Sequence, residues 1–277
     1  MSDTPEELVI IGAGAAGLYA AWYAQKAGIK PTLIVDRKKA IGGAWTEMPR
    51  DLRCLSPSTF DTLPDARYPK GSSEYALAPD VLNALNDFHE SFKPRIAFET
   101  PITQIEPEDD LLCLTSPEGP IRTRRLIVAS GIYEEPYIPE LPGSFSGRAI
   151  HTRHLNPLDF KENEEILVVG NGNSAAEAVE KLLMQKAKVT VAANHPIKAP
   201  HHVHYSGILG RLRYWASGIP LRWLPGDGGC RDHTPVVRKV LYEGCKDGRI
   251  KEADTVISLN PEGAETRSGQ KINVDSI

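Results

Sequence analysis

"VIIGAGAAGL", residues 9–18, is the stretch on which the fold of this chain turns. Gly12, Gly14 and Gly17 make the pattern G-x-G-x-x-G. An apolar run, "ELVII" (7–11), precedes it, and a helical stretch over about 15–27, closing at Gly28, follows. In that setting the first glycine makes a tight turn and the second lets backbone touch a pyrophosphate. The third allows the helix to pack closely on the strand. The helix N-terminus aims N–H groups and the positive end of its dipole at the phosphates. A lone pattern of this kind is weak evidence. Here the next apolar run, "TLIVD" (32–36), ends on Asp36, about 20 residues beyond the turn, where a ribose-binding acid belongs.

The pattern occurs twice. "VVGNGNSAAE" (168–177) carries Gly170, Gly172 and Ala175, the accepted variant G-x-G-x-x-A, after "EILVVG" and before a helix predicted over 173–186. Its second strand, "KVTVAAN" (188–194), ends without an acid. An acid there favours the free 2′-hydroxyl of NAD. Its absence, with His195 and Lys198 just beyond, leans toward the 2′-phosphate of NADP, with NADH tolerated. Strand, glycine turn, helix and strand therefore repeat. The expected fold class is α/β, with two Rossmann-like dinucleotide-binding domains, and two turns imply two dinucleotides.

Between the turns, 38–75 is rich in Gly, Pro, Ser and Asp and reads as a long ligand-facing connection. Residues 79–92 form an amphipathic helix with Val81, Leu82, Leu85, Phe88 and Phe92 along one stripe. "RIAFET", "ITQIEP" and "LLCLTSP" are three short β patterns. With "IRTRRLIVAS" (121–130) they suggest an antiparallel insert that returns to the parallel sheet. Residues 131–143 read as an extended crossover, and 195–233 as a loop. A helix is expected over 233–248, with Thr234 as N-cap, Pro235 at its first position and Gly248 past its end.

A length of 277 residues suits two domains, and 41% hydrophobic with 25% charged residues is the balance of a soluble globular protein. The net charge of −4 gives no basic footprint for nucleic acid. No apolar run approaches the ~20 residues of a membrane span. "MSDTPEE" lacks the features of a signal peptide, so the cytoplasm is the expected compartment. Cys54, Cys113, Cys230 and Cys245 form no C-x-x-C pair, which disfavours a metal cluster or a redox dithiol. The cluster "HHVHY" (201–205) holds no Cys, Asp or Glu and reads as a loop contact to an anionic ligand, so no metal is expected.

In order along the chain, the first turn, "DRKKAIGGAW" (36–45), "VASG" (128–131), "FSGRAIHTRHL" (145–155) and "GNGNSA" (170–175) resemble the motifs of flavin-containing monooxygenases. Phe145, Gly147 and His151 fit the family fingerprint F-x-G-x-x-x-H. "LRCLSPSTFDTLP" (52–64) is most similar to bacterial flavoproteins of the CzcO type, and the plant YUCCA enzymes share the plan. The resemblance covers nearly the whole chain. It implies an FAD-binding domain over 1–157 with an antiparallel insert at about 94–124, and an NAD(P)H-binding domain over 158–268. It also implies that 269–277 starts a return to the FAD domain that stops short, leaving FAD weakly held. Carried over, Gly12, Gly14, Ala16, Gly17, Asp36 and Arg37 would bind the ADP half of FAD. Gly43, Ala44 and Trp45 would lie beside the flavin, with Ser130 and Gly131 at the hinge. Gly170, Gly172, Asn173, Ser174, His195 and Lys198 would hold NADP, or NAD as second choice. No catalytic side chain is singled out. An Asn often placed near the flavin in N-oxygenating relatives falls at Leu55. Trp45 and His151 also read as a core aromatic and a structural brace.

The implied activity is an oxidoreductase of the monooxygenase class. NADPH reduces FAD, dioxygen adds at flavin C4a, and one oxygen atom passes to a soft nitrogen or sulfur nucleophile or to a ketone. The partners are a small-molecule substrate and dioxygen, and a homodimer is compatible with the sequence. One alternative is a flavin-dependent disulfide or small-molecule reductase. Another is a non-catalytic nucleotide-binding accessory protein linked to ion transport.

Overall fold

The structure, a computed structural model, describes residues 4–56, 58, 75–197 and 239–277. The chain forms two compact units, Met1–Glu135 and Pro136–Ile277. The division falls earlier than the boundary expected after 157, because the crossover and the fingerprint segment fold with the second unit.

In the first unit, β1 (Leu8–Ile11), α1 (Ala15–Lys26) and β2 (Thr32–Val35) take up the first glycine pattern. After them come α2 (Ala78–Phe92), β3 (Ile96–Ala97), β4 (Gln104–Glu108), β5 (Leu111–Thr115), β6 (Ile121–Thr123) and β7 (Leu126–Val128). A parallel sheet runs in the order β3-β2-β1-β7, and β4-β5-β6 is a separate antiparallel sheet. The insert is therefore shorter than expected. "RIAFET" contributes β3, which pairs in parallel with Ile34 and Val35, and two residues are too few to show a period in sequence.

Core residues follow the predicted stripes with one exchange. Leu18 and Ala21 of α1 are buried, Trp22 is half-buried, and Ala24 rather than Gln25 continues the inner face. Val81, Leu85 and Phe88 of α2 are buried, with Leu82 and Phe92 half-buried. Asp80 starts α2 by accepting the Leu77 N–H at 3.0 Å. Gly28, at positive φ, ends α1.

The second unit repeats the plan with β8 (Glu165–Val169), α3 (Asn173–Met184), β9 (Lys188–Ala192), α4 (Val240–Lys246) and β10 (Ile250–Ala253). Its sheet runs β10-β9-β8, all parallel. A meander follows: β11 (Val256–Asn260), β12 (Gly263–Thr266) and β13 (Lys271–Asn273). The helix expected over 233–248 is seen as α4, with Gly248 at positive φ past its end; Thr234 and Pro235 lie outside the described residues.

Residues 269–277, expected to begin a return to the first domain, are placed within the second unit instead. β13 pairs with β12, and Ser276 bridges both Ile166 and Arg148 in parallel. Leu167 donates to the Ser276 carbonyl at 2.9 Å, and Ile150 donates to that of Ile277 at 2.9 Å. The segment 275–277 is thus an extra strand between the fingerprint segment and β8. This gives the fingerprint a local reason. Any Cβ on Gly147 would run into the Phe145 ring and the Asp275 carbonyl, so glycine is required where that strand passes.

Candidate functional site

The first turn is pinned on three sides. Gly12 donates to the Val35 carbonyl at 2.8 Å, Ala129 donates to that of Ile11 at 2.8 Å, and Gly42 donates to that of Ala13 at 3.0 Å. Gly12 lies at φ +108°, and a Cβ there would strike the Ala129 carbonyl. A Cβ on Gly17 would strike the Gly12 carbonyl, which forces glycine where α1 crosses β1. Gly14 faces Gly43: a Cβ on Gly14 would stand 3.6 Å from the Gly43 Cα. The turn of Gly42 to Thr46 therefore lies against the glycine assigned to the pyrophosphate. Ala15 and Ala16 open α1 beside it, at the helix end whose first N–H groups have no partner within the helix.

Asp36 is 8% exposed, and its carboxylate locks this end of the sheet. It accepts the Ala13 N–H at 2.6 Å and the Lys38 N–H at 2.7 Å. A carboxylate offers about four acceptor positions, so capacity remains for ribose hydroxyls. The glycine cradle and this acid fit the adenosine and pyrophosphate of a dinucleotide. Ser130 and Gly131 follow β7 alongside Gly12, Gly131 at φ +81°. Ala44 and Trp45 are half-buried, and Trp45 packs against the first unit's core. Arg37 turns aside: its guanidinium binds Glu134 at 2.7 Å. That hydrogen bond raises the Arg37 pKa. For Glu134, burial works upward, but the hydrogen bonds from Arg37 and Lys38 outweigh it and hold the carboxyl below its ordinary range.

The second turn has the same backbone. Gly170 lies at φ +114° and donates to the Ala192 carbonyl at 2.8 Å, as Gly12 does to Val35. Gly172 caps α3 in the same extended conformation with which Gly14 caps α1. Here, however, a Cβ on Gly170 or Gly172 would meet no atom of the described residues within 4 Å. The place of Asp36 is taken by Ala193, which is buried and uncharged. The tie between turn and strand end is made from the other side: the Asn171 side-chain amide donates to the His195 carbonyl at 3.0 Å. Glu252 of β10 accepts the Ile197 N–H at 3.0 Å and anchors the same loop. Asn173 and Ser174 begin α3 at the open turn. This open cradle fits a second pyrophosphate.

Lys198, the "HHVHY" cluster and Cys230 lie outside the described residues. His151 accepts the Arg153 N–H at 3.1 Å, capping a short 3-10 turn, and burial, His154 and Arg153 lower its pKa. Leu55 is partly exposed. The structure adds functional side chains that the motifs pass over: Lys38, Glu134, Asn171 and Glu252. Nothing in the spacing of "DRKK" and "YEEP" links Lys38 to Glu134, which lie 96 positions apart in sequence.

The pyridine nucleotide-disulphide oxidoreductase family matches over residues 9–211. A CzcO-like oxidoreductase of Geobacillus kaustophilus is 30% identical over 255 residues, covering 88% of this chain and 71% of the relative. The probable indole-3-pyruvate monooxygenase YUCCA4 of Arabidopsis thaliana is 24% identical, covering 97% and 73%. The solved flavin-containing monooxygenase of Stenotrophomonas maltophilia shares the fold, with a TM-score of 0.80 at 21% identity over 98% of this chain and 76% of that one. The chain belongs to the pyridine nucleotide-disulphide oxidoreductase family, with a CzcO-like oxidoreductase and flavin-containing monooxygenases among its relatives. As a member of that family it is an oxidoreductase and a flavoprotein. Among the described residues no helix is long and apolar enough to cross a membrane.

Proposed function

We propose that this chain is an FAD- and NADPH-dependent monooxygenase that delivers one atom of dioxygen to a small molecule bearing a soft nitrogen or sulfur, or to a ketone. One observation carries the reading: two glycine turns of like backbone end their second strands differently, on Asp36 and on Ala193. A carboxylate at that place suits free ribose hydroxyls, as in the adenosine of FAD. An uncharged alanine leaves the 2′-phosphate of NADPH unopposed. When bound, NADPH supplies the hydride, and FAD accepts it and activates dioxygen.

The chain's own groups bind and orient. Gly12, Gly14, Ala16 and Gly17 present the α1 N-terminus to one pyrophosphate, and Asp36 accepts from the ribose. Gly43, Ala44, Trp45, Ser130 and Gly131 line the rest of the FAD path. Gly170, Gly172, Asn173 and Ser174 present α3 to the other pyrophosphate, and His195 and Lys198 are assigned to the 2′-phosphate by their place in sequence after β9. The proposed setting is the cytosol. Disulfide reduction gains no support from the described cysteines. Cys54, Cys113 and Cys245 form no disulfide, and burial, with Glu252 and Asp247, pushes the Cys245 thiol up, away from the reactive thiolate.

The test is steady-state NADPH oxidation by the flavin-loaded protein in an oxygen electrode, with candidate amines, sulfides and ketones. A monooxygenase consumes oxygen with NADPH and gives a product one oxygen atom heavier. NADPH oxidation that needs an acceptor other than oxygen would point to the reductase. No NADPH oxidation at all would point to the accessory role.

A further inference from the structure

Three stretches of the first unit meet around one ammonium group. The Lys38 Nζ lies 3.0 Å from the Gly43 carbonyl oxygen, 2.9 Å from Glu47 and 3.2 Å from Glu134. Its side chain is 17% exposed, low for a lysine. Its backbone is held as well: the N–H donates to Asp36, and the carbonyl accepts from Glu99 at 3.0 Å. The other Glu134 oxygen takes Arg37. Two cations face two carboxylates, and the three donors of the ammonium already have three acceptors. Lys38 is therefore not arranged as a phosphate ligand.

What it holds is the 42–46 turn. Gly42 and Gly43 both sit at positive φ, +118° and +56°. Two glycines in succession make a soft joint, since each gains freedom from its missing Cβ. An outside tie therefore decides where the turn rests. It rests against the first glycine turn, where a Cβ on Gly43 would stand 3.2 Å from the Gly14 Cα. Asp36 braces the other flank, at Ala13.

We propose that Lys38, seated by Glu134, is the positioning residue for the flavin side of the bound dinucleotide. It fixes the 42–46 turn against Gly14, and with it the path of the ligand beyond the pyrophosphate, without touching the phosphates. The adenosine side, braced by Asp36, does not depend on this latch. The proposal rests on the assignment of the first turn to FAD.

The experiment titrates flavin-free protein with FAD and, separately, with ADP, which has the adenosine and pyrophosphate but no flavin. For Lys38→Met the FAD Kd rises about tenfold or more while the ADP Kd changes less than about twofold, with the melting temperature held. Lys38→Arg recovers part of the FAD affinity, and Glu134→Gln gives the same pattern at smaller size. The visible circular dichroism of the remaining bound flavin shifts in Lys38→Met and returns in Lys38→Arg. Equal losses for FAD and ADP would overturn the proposal, since they would mean phosphate contact or general loosening. Unchanged FAD affinity would overturn it too. Wild-type protein that binds neither ligand would remove the flavin assignment itself, and the latch with it.

Discussion

The two glycine turns agree in backbone and differ in what surrounds them. In the first, a Cβ would clash at Gly12 with Ala129 and at Gly17 with Gly12, and at Gly14 it would reach ordinary contact with Gly43. In the second, Gly170 and Gly172 have no neighbour within 4 Å of a Cβ among the described residues, and Ala175 stands where the first turn tolerates only glycine. The first turn is closed on one side by Asp36 and on the other by the latched 42–46 turn. The second is tied by the Asn171 amide and by Glu252, and its strand end is the uncharged Ala193. A closed cradle suits a cofactor that stays, and an open one suits a cofactor that comes and goes each turnover.

The largest expected effect would break that contrast outright. Gly14→Val pushes a branched side chain toward Gly43 and the pyrophosphate, and FAD affinity should fall by about 100-fold or more. Gly172→Val should leave the flavin spectrum intact and abolish its reduction by NADPH, while photoreduction still proceeds. Absorbance at the flavin bands reads both, and a Gly14→Val protein that purifies with full flavin sinks the assignment.

Next in size is a stability contrast at the third position. Gly17→Ala drives a methyl into the Gly12 carbonyl and should cost about 3 kcal/mol by denaturant unfolding. The reverse change, Ala175→Gly, only loosens a helix and should cost about 1 kcal/mol or less. Equal costs would mean that the two crossings are alike.

A smaller effect sharpens the nucleotide reading. Ala193→Asp puts a carboxylate where the first turn has one, so the preference for NADPH over NADH should fall about tenfold, worth ~1.4 kcal/mol. Ratios of kcat/KM for the two nucleotides decide it. Asn171→Ala removes one partly exposed hydrogen bond and should raise the NADPH KM only about two- to fivefold.

The smallest effect concerns pH. Arg37 and Lys38 hold the Glu134 carboxyl below its ordinary range against the upward pull of burial, with Glu135 also facing Arg37. A depressed carboxyl contributes above its unfolded pKa, about 4.3, and its contribution disappears as pH falls through the folded value. Flavin retention should therefore be flat from pH 7 to about 5 and begin to drop only below the ordinary carboxylate range. Glu134→Gln should lack that part of the acid limb. A wild-type loss centred near pH 6 would point to a different group.

Much of the fold was legible because its signals are local. Alternation of apolar runs with glycine turns placed β1, α1, β2, β8, α3 and β9, and the apolar stripe placed α2. Two features escaped. β3 reads in sequence as part of the antiparallel insert, and it is pairing with β2 that puts it in the parallel sheet. The strand at 275–277 has no strong pattern of its own, and its partners, Arg148 and Ile166, lie more than a hundred residues earlier. At the site, the motif glycines and Asp36 came together as spacing implied. The Lys38–Glu134 tie did not show, because Coulomb partners far apart in sequence leave no periodic trace.

That late strand also sets an order of assembly. β1, β2 and β7 can pair as soon as 128 residues have emerged from a ribosome. The segment from Arg148 to Ile150 must wait for Asp275 and Ile277 before the Arg148 and Ile150 N–H groups find acceptors. Such distant pairing carries a large loop-closure cost and is slow. During synthesis the first cradle can therefore form while the fingerprint segment still waits for the C-terminal stretch it lies against.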